Sequence, residues 1–547
     1  MFLDSVQKTR TRVALAAAGA ATILLAVTAC SGGTPSTSSA PVRGGTLTYA
    51  SGDAEPTCLD PHVGGNYPQA LLATQYIETL VGMDSKREIV PALATKWSTS
   101  SDGRTWTFTL HRGVTFSDGT PFDAAAVVRN IEHVQDPTTA SSTGYLALQA
   151  IDKAVATDDH TVTLSLSRPD SALLESFSQP WVGMESPKAL ERSQAVNCES
   201  PVGTGPFAVT DWKHGDRITL ARNSDYTPLD GSTTKPRLAG ITWRFLPDST
   251  SRYAALKAGQ VDVIDNAQPD QVRAASSKGD IRDLDAPRPG ASNRLELNSG
   301  HGVFRDAAVR KAFIAGADID PGLESLFLGT ATRSYSVLSS VEPLGVSDKS
   351  LFRYAPSTAD KLLDAAGWKK NADGIREKDG LPLTVVFPVS TNQSIPAERS
   401  LFEQIQASEK RVGFDVQIKQ LDLSSWYAAL AENQYDVVSA PYTKVGPDVL
   451  RILYDTASIT PAPSGYFANL AQLSDPQLDA DLEQAASTSD AARRRSLYAD
   501  AQKIILASGT VLPLYDQQNH FLYRSSVHGI RTTAVSTPWF GTAWLDR

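Results

Sequence analysis

The sequence has few of the residues that carry most enzyme and metal chemistry. Its 547 residues include three cysteines, three methionines and eight histidines, and the histidines stand singly along the chain. It contains no G-x-S-x-G nucleophile elbow, no H-E-x-x-H zinc motif, no Walker phosphate loop and no G-x-G-x-x-G dinucleotide loop. Acidic pairs such as Asp283 and Asp285 lie in turn-like contexts that are typical of solvated carboxylates. We therefore expect no enzymatic activity, no cofactor and no metal site.

An excess of basic residues is also absent. Lys and Arg number 51 against 60 Asp and Glu, which gives a formal net charge of −9. Because a nucleic-acid groove needs clustered positive charge, we expect no nucleic-acid partner. The composition, 41% hydrophobic and 20% charged, is typical of a globular protein. A chain of this length exceeds what one hydrophobic core usually holds, which indicates two or more domains.

The amino terminus carries the pattern of an export signal. Three basic residues precede an apolar run over residues 13–27, which is shorter than a membrane-spanning helix. The run leads into Val-Thr-Ala-Cys at Cys30, which resembles the lipobox of bacterial lipoproteins. The resemblance implies a signal peptide over residues 1–29 and a lipid on Cys30, with residues 30–43 as a flexible tether. The alternative is an ordinary signal peptide that is cut at small residues.

The other two cysteines, Cys58 and Cys198, form an even pair. In an exported protein such a pair is more often a disulfide than two free thiols. Both possibilities stay open at this point, because the sequence does not show whether the two residues meet.

Residues 97–134 are the most informative part of the chain. After an Asp-Gly turn, Trp106, Phe108 and Leu110 alternate with threonines, which is the two-residue period of a half-buried strand. A second Asp-Gly turn follows, and Asp123 is then placed to cap a helix. The pattern predicts strands, turns and a helix, with no catalytic feature.

The residue choices in this stretch resemble a known family. The run W-S-x-S-x-D-G-x-x-W-x-F-x-L-x-x-G-V-x-F-x-D-G-x-P-F-x-A is similar to the signature of the peptide- and nickel-type (family 5) extracellular solute-binding proteins of ABC importers. Segments at residues 203–207, 303–317 and 354–368 are also similar to the family and extend the resemblance over residues 44–545. It implies an α/β, two-lobed periplasmic-binding-protein (Venus flytrap) fold with an extra small α+β subdomain in the first lobe.

The resemblance also implies an order of domains. Strand–helix–strand patterns within each lobe predict parallel crossovers, including a βαβαβ run over residues 383–440. Two chain crossings, near residues 286–293 and 508–514, are expected to form a hinge. The implied segments are the first lobe over 44–70, the inserted subdomain over 71–187, the first lobe again over 188–287, the second lobe over 288–508 and a return to the first lobe over 509–547.

We expect the ligand site between the lobes, because ligands of parallel α/β sheets bind beyond the carboxyl ends of the strands. Loops of the first lobe, the crossing segment and a Pro/Ser/Gly-rich loop that the family places near the ligand supply the candidates. For each aromatic residue, a place in the core is the competing interpretation. The candidates are Asn66, Tyr67 and Trp181, then Asn293 and Arg294, and then Tyr466 and Phe467.

The loop after residues 435–440 departs from the family pattern. Peptide receptors of the family place an Asp there, which pairs with the α-amine of the peptide. This chain has Tyr442 and Lys444 instead, with Asp448 four residues later. Lys444 at the cleft favours an anionic ligand group and Tyr442 a flat one, whereas Asp448 is expected to cap a helix. The alternative is that Lys444 points to solvent and selects nothing.

The leading hypothesis is the lipid-anchored, monomeric substrate-binding component of an ABC importer on the outer or periplasmic face of the cell membrane. It would capture a peptide or peptide-sized polar solute and deliver it to a permease and ATPase complex. A metal chelate, such as one of nickel, or an opine-like anionic conjugate stays open as the ligand. A surface hydrolase with an unrecognised nucleophile and a surface adhesin or sensor are the other classes of function.

Overall fold

The computed structural model describes residues 41–229, 235–275, 279–439 and 441–546. The predicted signal peptide, Cys30 and most of the predicted tether lie outside these residues. Within the described ranges, no helix combines the length and the apolar character that crossing a membrane requires.

The first lobe is built on a seven-stranded sheet. Its strand Thr46–Ser51 pairs in parallel with Gly240–Phe245 on one side and with Val263–Ile264 on the other. The helix Ser249–Lys257 makes the connection between the two flanking strands, so the predicted parallel crossover is confirmed. The other pairings in this sheet are antiparallel. Across the sheet the strands are Ile281–Pro287, Gln518–Arg524, Val263–Ile264, Thr46–Ser51, Gly240–Phe245, Arg217–Arg222 and Phe207–Lys213.

The first helix of this lobe is shorter than the sequence pattern suggests. A helix is expected over residues 69–81, but the structure has Tyr67–Ala73. The chain turns away because the carbonyls of Gln75 and Tyr76 accept hydrogen bonds from the amides of Phe207 and Gly205, at 3.1 and 3.0 Å. A side chain at Gly205 would place its Cβ 2.6 Å from the backbone of Tyr76, so this close approach requires glycine. The first lobe also contains the helix Pro269–Ala274.

The inserted subdomain is a four-stranded antiparallel sheet with helices packed on it. Trp106, Phe108 and Leu110 are buried, and the intervening threonines are more exposed. The Asp123 carboxylate accepts a hydrogen bond from the amide of Ala126 at 2.9 Å and caps the following helix. Both sequence predictions are confirmed. The strands in order are Ala94–Thr99, Thr105–Leu110, Thr161–Leu166 and Ile151–Asp158, and the helices are Ala124–Gln135, Thr143–Leu148 and Leu173–Phe177. The helices Pro187–Leu190 and Gln194–Glu199 follow, where the chain returns to the first lobe.

The second lobe combines a parallel strand pair with a four-stranded antiparallel sheet. Thr384–Ser390 and Asp415–Leu421 pair in parallel, as the sequence predicts. The third predicted parallel strand, Val437–Ser439, instead pairs in antiparallel fashion with Asn293–Leu297. Asp436, just before this strand, limits the pairing of Val437–Ser439 with the parallel strands because it occupies both backbone groups of Val386. The Asp436 amide donates to the Val386 carbonyl at 2.9 Å, and the Asp436 carboxylate accepts from the Val386 amide at 2.8 Å. In order, the antiparallel strands are Thr332–Arg333, Val511–Asp516, Asn293–Leu297 and Val437–Ser439.

Helices surround these two sheets and bury a large core between them. The predicted helix over residues 303–317 begins as the 3₁₀ turn Val303–Arg305 and continues as Ala307–Gly316. The other helices of this lobe are Asp320–Phe327, Pro356–Ala365, Pro396–Val412, Leu423–Ala431, Val449–Tyr454, Pro476–Ser487 and Ala491–Ser508. Short strand pairs complete the fold: Val81–Met83 with Ile89–Pro91, Lys369–Lys370 with Arg376–Lys378 and Leu381–Pro382, Val527–His528 with Trp544–Leu545, and Arg531–Thr532 with Pro538–Trp539.

Two chain crossings join the sheets of the two lobes. The first runs from Ile281–Pro287 to Asn293–Leu297 and lies where the sequence places it. The second lies at Gln517, later than the predicted residues 508–514. The reason is that Val511–Asp516 still pairs with the second-lobe strand Asn293–Leu297.

The two crossings are in direct contact. The amide of Arg288 donates a hydrogen bond to the carbonyl of Gln517 at 2.9 Å. The lobes are therefore joined through one narrow pair of segments, which is the geometry of a hinge.

A bond between the sulfur atoms of Cys58 and Cys198 closes a loop of 140 residues within the first lobe and its insertion. Cys58 lies before the helix Tyr67–Ala73, and Cys198 lies in the helix Gln194–Glu199. A cross-link over so long a loop restricts the unfolded chain strongly.

We predict that neither of these cysteines has a free thiol. In a Cys30→Ser protein, thiol titration of the denatured chain should find no thiol before reduction and two after it. Replacing both Cys58 and Cys198 by Ser should lower the free energy of unfolding by about 2–4 kcal/mol. Two reactive thiols in the unreduced chain would contradict the prediction.

Candidate ligand cleft between the lobes

A cavity of about 360 Å³ lies between the lobes, beside the crossings. Both lobes and the inserted subdomain contribute to its walls. The lining residues are Asp53, Gly64, Gly65, Asn66, Tyr67, Pro68, Ser142, Thr143, Trp181, Asn266, Arg288, Gln393, Trp426, Tyr427, Leu430, Ala431, Pro441, Tyr442, Thr443, Ser464, Gly465, Tyr466, Phe467, Leu470 and Asn519.

Six of the ten sequence-predicted cleft residues line this cavity. They come from four separate segments of the chain, which the fold brings together. The six are Asn66, Tyr67, Trp181, Tyr442, Tyr466 and Phe467.

The first-lobe wall is held in place by its own hydrogen bonds. Asn66 caps the helix Tyr67–Ala73 through a bond from Gln69 N at 3.0 Å. The indole of Trp181 donates to the carbonyl of Asn66 at 3.1 Å. The hydroxyl of Tyr67 donates to the carbonyl of Ser536 at 2.8 Å. These bonds fix the side chains before any ligand arrives, so little ordering remains to be done on binding.

Arg288, from the first crossing, brings a positive charge to the cavity. Its guanidinium stacks on the ring of Tyr67, 3.9 Å from the ring centroid, and its Nε donates to the hydroxyl of Thr443 at 2.8 Å. None of the ion pairs between described side chains includes Arg288. Burial lowers the pKa of the guanidinium from its ordinary value. Arg288 is partly buried. A partly desolvated cation without an ion-pair partner carries a cost that an anionic ligand group would relieve.

Asp53 brings a carboxylate to the same cavity. It accepts a hydrogen bond from the side-chain amide of Asn266 at 2.8 Å. Burial, followed by the charge of Asp265, raises the pKa of Asp53 to about 7. The group therefore changes its protonation state near neutral pH and can receive a cationic ligand group in its ionised form.

The second lobe contributes an aromatic wall. Trp426 and Tyr427 lie with their ring centroids 5.1 Å apart, and Tyr427 meets Tyr466 edge-on at 6.2 Å. Burial raises the pKa of Tyr442 to about 12, so its hydroxyl stays protonated. This wall offers flat apolar surface and neutral hydroxyls, with no ionised group among its described residues.

Asn293 and Arg294 do not reach the cavity, which corrects the sequence prediction. Asn293 donates to the hydroxyl of Tyr515 at 2.7 Å inside the second lobe. Arg294 is fully buried, pairs with Glu296 and donates to the hydroxyl of Tyr454 at 2.8 Å. Both residues lie on a strand that is buried along its whole length, so their side chains are used inside the lobe.

Lys444 and Asp448 are also misplaced by the sequence prediction. Lys444 is buried away from the cavity, with Nζ 3.3 Å from the hydroxyl of Ser176 and 4.0 Å from the Asp448 carboxylate. Asp448 makes no capping bond and instead accepts two hydrogen bonds from Arg451, each at 2.9 Å. Lys444 lies four residues before Asp448 and Arg451 three residues after it. This spacing lets both cations neutralise the buried Asp448 carboxylate.

The inserted subdomain closes against the second lobe through polar contacts. Arg87 donates to Glu342 at 2.7 Å, and Arg168 donates to Glu483 at 2.7 Å. A backbone bond from Ser171 to the carbonyl of Ala486, at 2.7 Å, lies beside the second pair.

Glu342 links three separate segments at this interface. Besides Arg87, its carboxylate accepts hydrogen bonds from the amides of Gly290, at 2.9 Å, and Gly446, at 3.3 Å. Burial raises the pKa of Glu342, while Arg87 and the two amides act in the opposite direction. The carboxylate thus ties the insertion to the first crossing and to the loop that contains Tyr442.

The sequence reasoning missed the two charged groups of the cavity and part of its aromatic wall. Arg288 lies within the predicted first crossing, so a search of that segment for charged residues could have found it. Trp426 and Tyr427 follow the predicted strand over residues 414–420 at its carboxyl end, which is the expected position for ligand contacts. Asp53 carries no comparable signal, because its position depends on the long-range pairing of the first strand.

Two lobes, two adjacent crossings and a cavity between them with polar and aromatic walls define a two-lobed solute-binding protein. The family model for bacterial extracellular solute-binding proteins, family 5 (Middle), matches residues 88–463. The chain belongs to this family, whose members are the substrate-binding components of transport systems rather than enzymes.

Curated relatives match over most of the chain. The glutathione-binding protein GsiB of Pectobacterium atrosepticum is 30% identical over 461 residues, which cover 82% of this chain and 85% of the relative. The nickel-binding periplasmic protein of Escherichia coli K12 is 26% identical over 468 residues, which cover 83% of this chain and 86% of the relative.

Solved structures have the same fold. NikA from Brucella suis in complex with Fe(III)-EDTA superposes with a TM-score of 0.75 at 27% identity, covering 92% of this chain and 100% of NikA. DppA from Helicobacter pylori in complex with the peptide STSA superposes with a TM-score of 0.81 at 23% identity, covering 92% of this chain and 99% of DppA. The predicted two-lobed fold is therefore confirmed.

The Arg87–Glu342 contact predicts a shift in the balance between closed and open forms. Removing a charge-assisted hydrogen bond at this interface by Arg87→Ala should cost the closed form about 1–2 kcal/mol, roughly tenfold in the closed-to-open ratio. Small-angle scattering should then show a larger radius of gyration for the variant. Lys86→Ala, which changes an exposed neighbour, should leave the radius unchanged. Equal radii for Arg87→Ala and wild type would contradict the role given to this contact.

Proposed function

We propose that this protein is the lipid-anchored solute receptor of an ABC importer and that it binds a peptide or peptide-sized polar solute between its lobes. The observation that carries the proposal is that the Arg288 guanidinium and the Asp53 carboxylate line the same cavity. A zwitterionic ligand places a carboxylate on the guanidinium and an amine on the carboxylate, so both partly buried charges gain a direct partner.

The size of the cavity restricts the ligand. A volume of about 360 Å³ lies at the low end of the range for small-molecule sites. It suits a di- or tripeptide, or a compound of that size, better than a long peptide. The relatives bear names that refer to glutathione and to nickel, which supports a small polar ligand.

The mechanism follows from where the polar and aromatic groups lie. Asp53 and Arg288 belong to the first lobe and the crossing, so they hold the charged ends of the ligand first. The aromatic wall of the second lobe then closes over the remainder. Because the ligand contacts both walls only in the closed form, it shifts the population toward that form, which the permease would recognise.

Calorimetry with glutathione, an unmodified dipeptide and its N-acetylated form tests this proposal. Arg288→Gln should weaken binding of the peptides by roughly fiftyfold, because a bidentate charge-assisted contact is lost. Arg112→Gln, at an exposed position of the insertion, is the matched control and should bind as wild type does. Undiminished binding by Arg288→Gln, or no binding of any small polar solute, would refute the proposed site.

The same titration predicts a pH dependence that is specific to Asp53. The free carboxyl group has a pKa of about 7 and must be ionised to hold an ammonium group. Below pH 7 a proton has to leave on binding, so the affinity for an amine-bearing peptide should fall by about tenfold per pH unit. Above pH 7 the affinity should level off. Asp53→Asn and the N-acetylated dipeptide should both remove this dependence.

An anionic conjugate is the second candidate for the ligand, because Arg288 alone provides a site for it. Such a ligand, for example a metal chelate or an opine-like amino-acid derivative, would use the guanidinium without the Asp53 carboxylate. Its binding should then be lost in Arg288→Gln and be retained in Asp53→Asn. The buried position of Lys444 removes the residue on which the sequence-based form of this alternative relied.

The anchoring part of the proposal rests on the lipobox-like sequence at Cys30. Cys30→Ser removes the thiol that would receive the lipid. We predict that the variant is released into the medium or the soluble fraction, whereas wild type stays with the membrane. Fractionation followed by immunoblotting measures this, with Cys58→Ser as a control that keeps Cys30. A Cys30→Ser protein that stays membrane-bound after washing would contradict the prediction.

A further inference from the structure

A second group of ionisable side chains lies in the first lobe and its insertion, outside the ligand cavity. Asp60 and His62 share the loop after Cys58, and His133 lies on the helix Ala124–Gln135. One donor atom from each of the three lies within 4.8 Å of the other two. Asp60 and His62 are fully buried, and the side chain of His133 is 14% exposed. The two histidines stand far apart in the sequence, and they come together because the insertion folds back onto the loop.

The hydrogen bonds of His62 fix which ring nitrogen carries its proton. Its Nε2 lies 2.7 Å from the carbonyl of Gly183. A carbonyl only accepts, so Nε2 is the protonated donor and Nδ1 keeps a lone pair. Nδ1 has no hydrogen-bond partner among the described residues and lies 3.9 Å from Asp60 Oδ1. Asp60 Oδ1 accepts a hydrogen bond from the backbone amide of His62 at 2.8 Å, which leaves the buried Nδ1 lone pair unsatisfied. A cation bound between the ring and the carboxylate would satisfy it.

His133 approaches the same carboxylate from the other side. Its Nε2 lies 2.9 Å from Asp60 Oδ2, and its Nδ1 lies 3.2 Å from the hydroxyl of Thr139. Each of the two histidines therefore has an outer partner on the ring nitrogen that points away from Asp60. This is the arrangement that orients imidazoles as metal ligands.

A second buried carboxyl group, Glu185, lies beside Asp60. Its Oε1 has no hydrogen-bond donor among the described residues. The side-chain amide of Asn197 donates to both carboxyl groups, at 2.9 Å to Asp60 Oδ2 and 2.8 Å to Glu185 Oε2. The amide therefore fixes the position of the Asp60 side chain in the cluster.

From this geometry we propose that Asp60, His62 and His133 bind one structural Zn²⁺ ion. Imidazole nitrogens and a carboxylate oxygen are ligands that zinc commonly takes in proteins. Ligand atoms about 2.0–2.1 Å from a tetrahedral ion lie about 3.3 Å apart. The distance from His133 Nε2 to Asp60 Oδ2 is 2.9 Å, and the distance from His62 Nδ1 to Asp60 Oδ1 is 3.9 Å, so the two lie on either side of that value.

The burial of these ligands determines how the experiment must be done. Full-length protein, with its disulfide intact, is unfolded, refolded with a small excess of ZnCl₂ and desalted, and its metal is counted by mass spectrometry. We expect about one zinc per chain, with a melting temperature roughly 5 °C above that of protein refolded in a chelator. Less than about 0.2 zinc per chain would overturn the proposal and leave the cluster as a proton-sharing network.

Variants locate the ion. Asp60→Asn and His133→Gln should lower the content to roughly 0.1 zinc per chain. His520→Gln is the matched control, because it changes a His–carboxylate group with Asp283 and Asp285 elsewhere in the first lobe. Zinc that persists in His133→Gln, or that is lost in His520→Gln, would overturn the assignment.

X-ray absorption of the wild-type zinc protein keeps the proposal testable where a variant fails to refold. Two imidazoles with oxygen ligands support the site, and a sulfur-containing or oxygen-only shell refutes it. Neither readout depends on the transported solute, so the zinc site and the transport function can fail separately.

Discussion

The two chain crossings constrain the rest of this structure. Each lobe completes its own sheet, and among the described residues the chain passes between the sheets at residues 288–292 and at Gln517. The hydrogen bond from Arg288 N to the Gln517 carbonyl joins the two segments into one narrow connection between the lobes. Such a narrow connection permits rotation of one lobe against the other, so the contacts between the insertion and the second lobe help to hold the cavity in the form described. Arg288 belongs to this connection and also lines the cavity, which links the hinge directly to the ligand.

The contacts between the inserted subdomain and the second lobe are polar and partly buried, and this limits their contribution to the stability of the closed form. The Glu342 carboxylate accepts three hydrogen bonds at the interface, yet burial still raises its pKa. The cluster of Lys444, Asp448 and Arg451 similarly combines desolvation with attraction. Because the cost of desolvation offsets much of the attraction, such contacts fix the geometry of closure more than they stabilise it. The ligand's own contacts are then large enough to decide which form is populated.

Much of the fold could be predicted from the sequence because it is encoded locally. The period of Trp106, Phe108 and Leu110 and the cap at Asp123 each depend on a few neighbouring residues, and both are confirmed. The antiparallel pairing of Val437–Ser439 depends instead on a partner strand far away in the chain. The same limit applies to the site. Aromatic residues in loops at strand ends were found, whereas Lys444 was placed wrongly because its burial depends on the inserted subdomain.

The inserted subdomain also explains why short-range motifs miss the histidine cluster. His133 lies 73 residues from Asp60, far beyond the spacing of any local metal motif. The link between them passes through the disulfide region, because Asn197, which holds Asp60 and Glu185, is the neighbour of Cys198, and Asp60 lies two residues after Cys58. Disulfide and cluster therefore fasten the insertion to the first lobe at one place. The insertion can then move with the first lobe as a single body, so that closure is confined to the hinge and to the contacts with the second lobe.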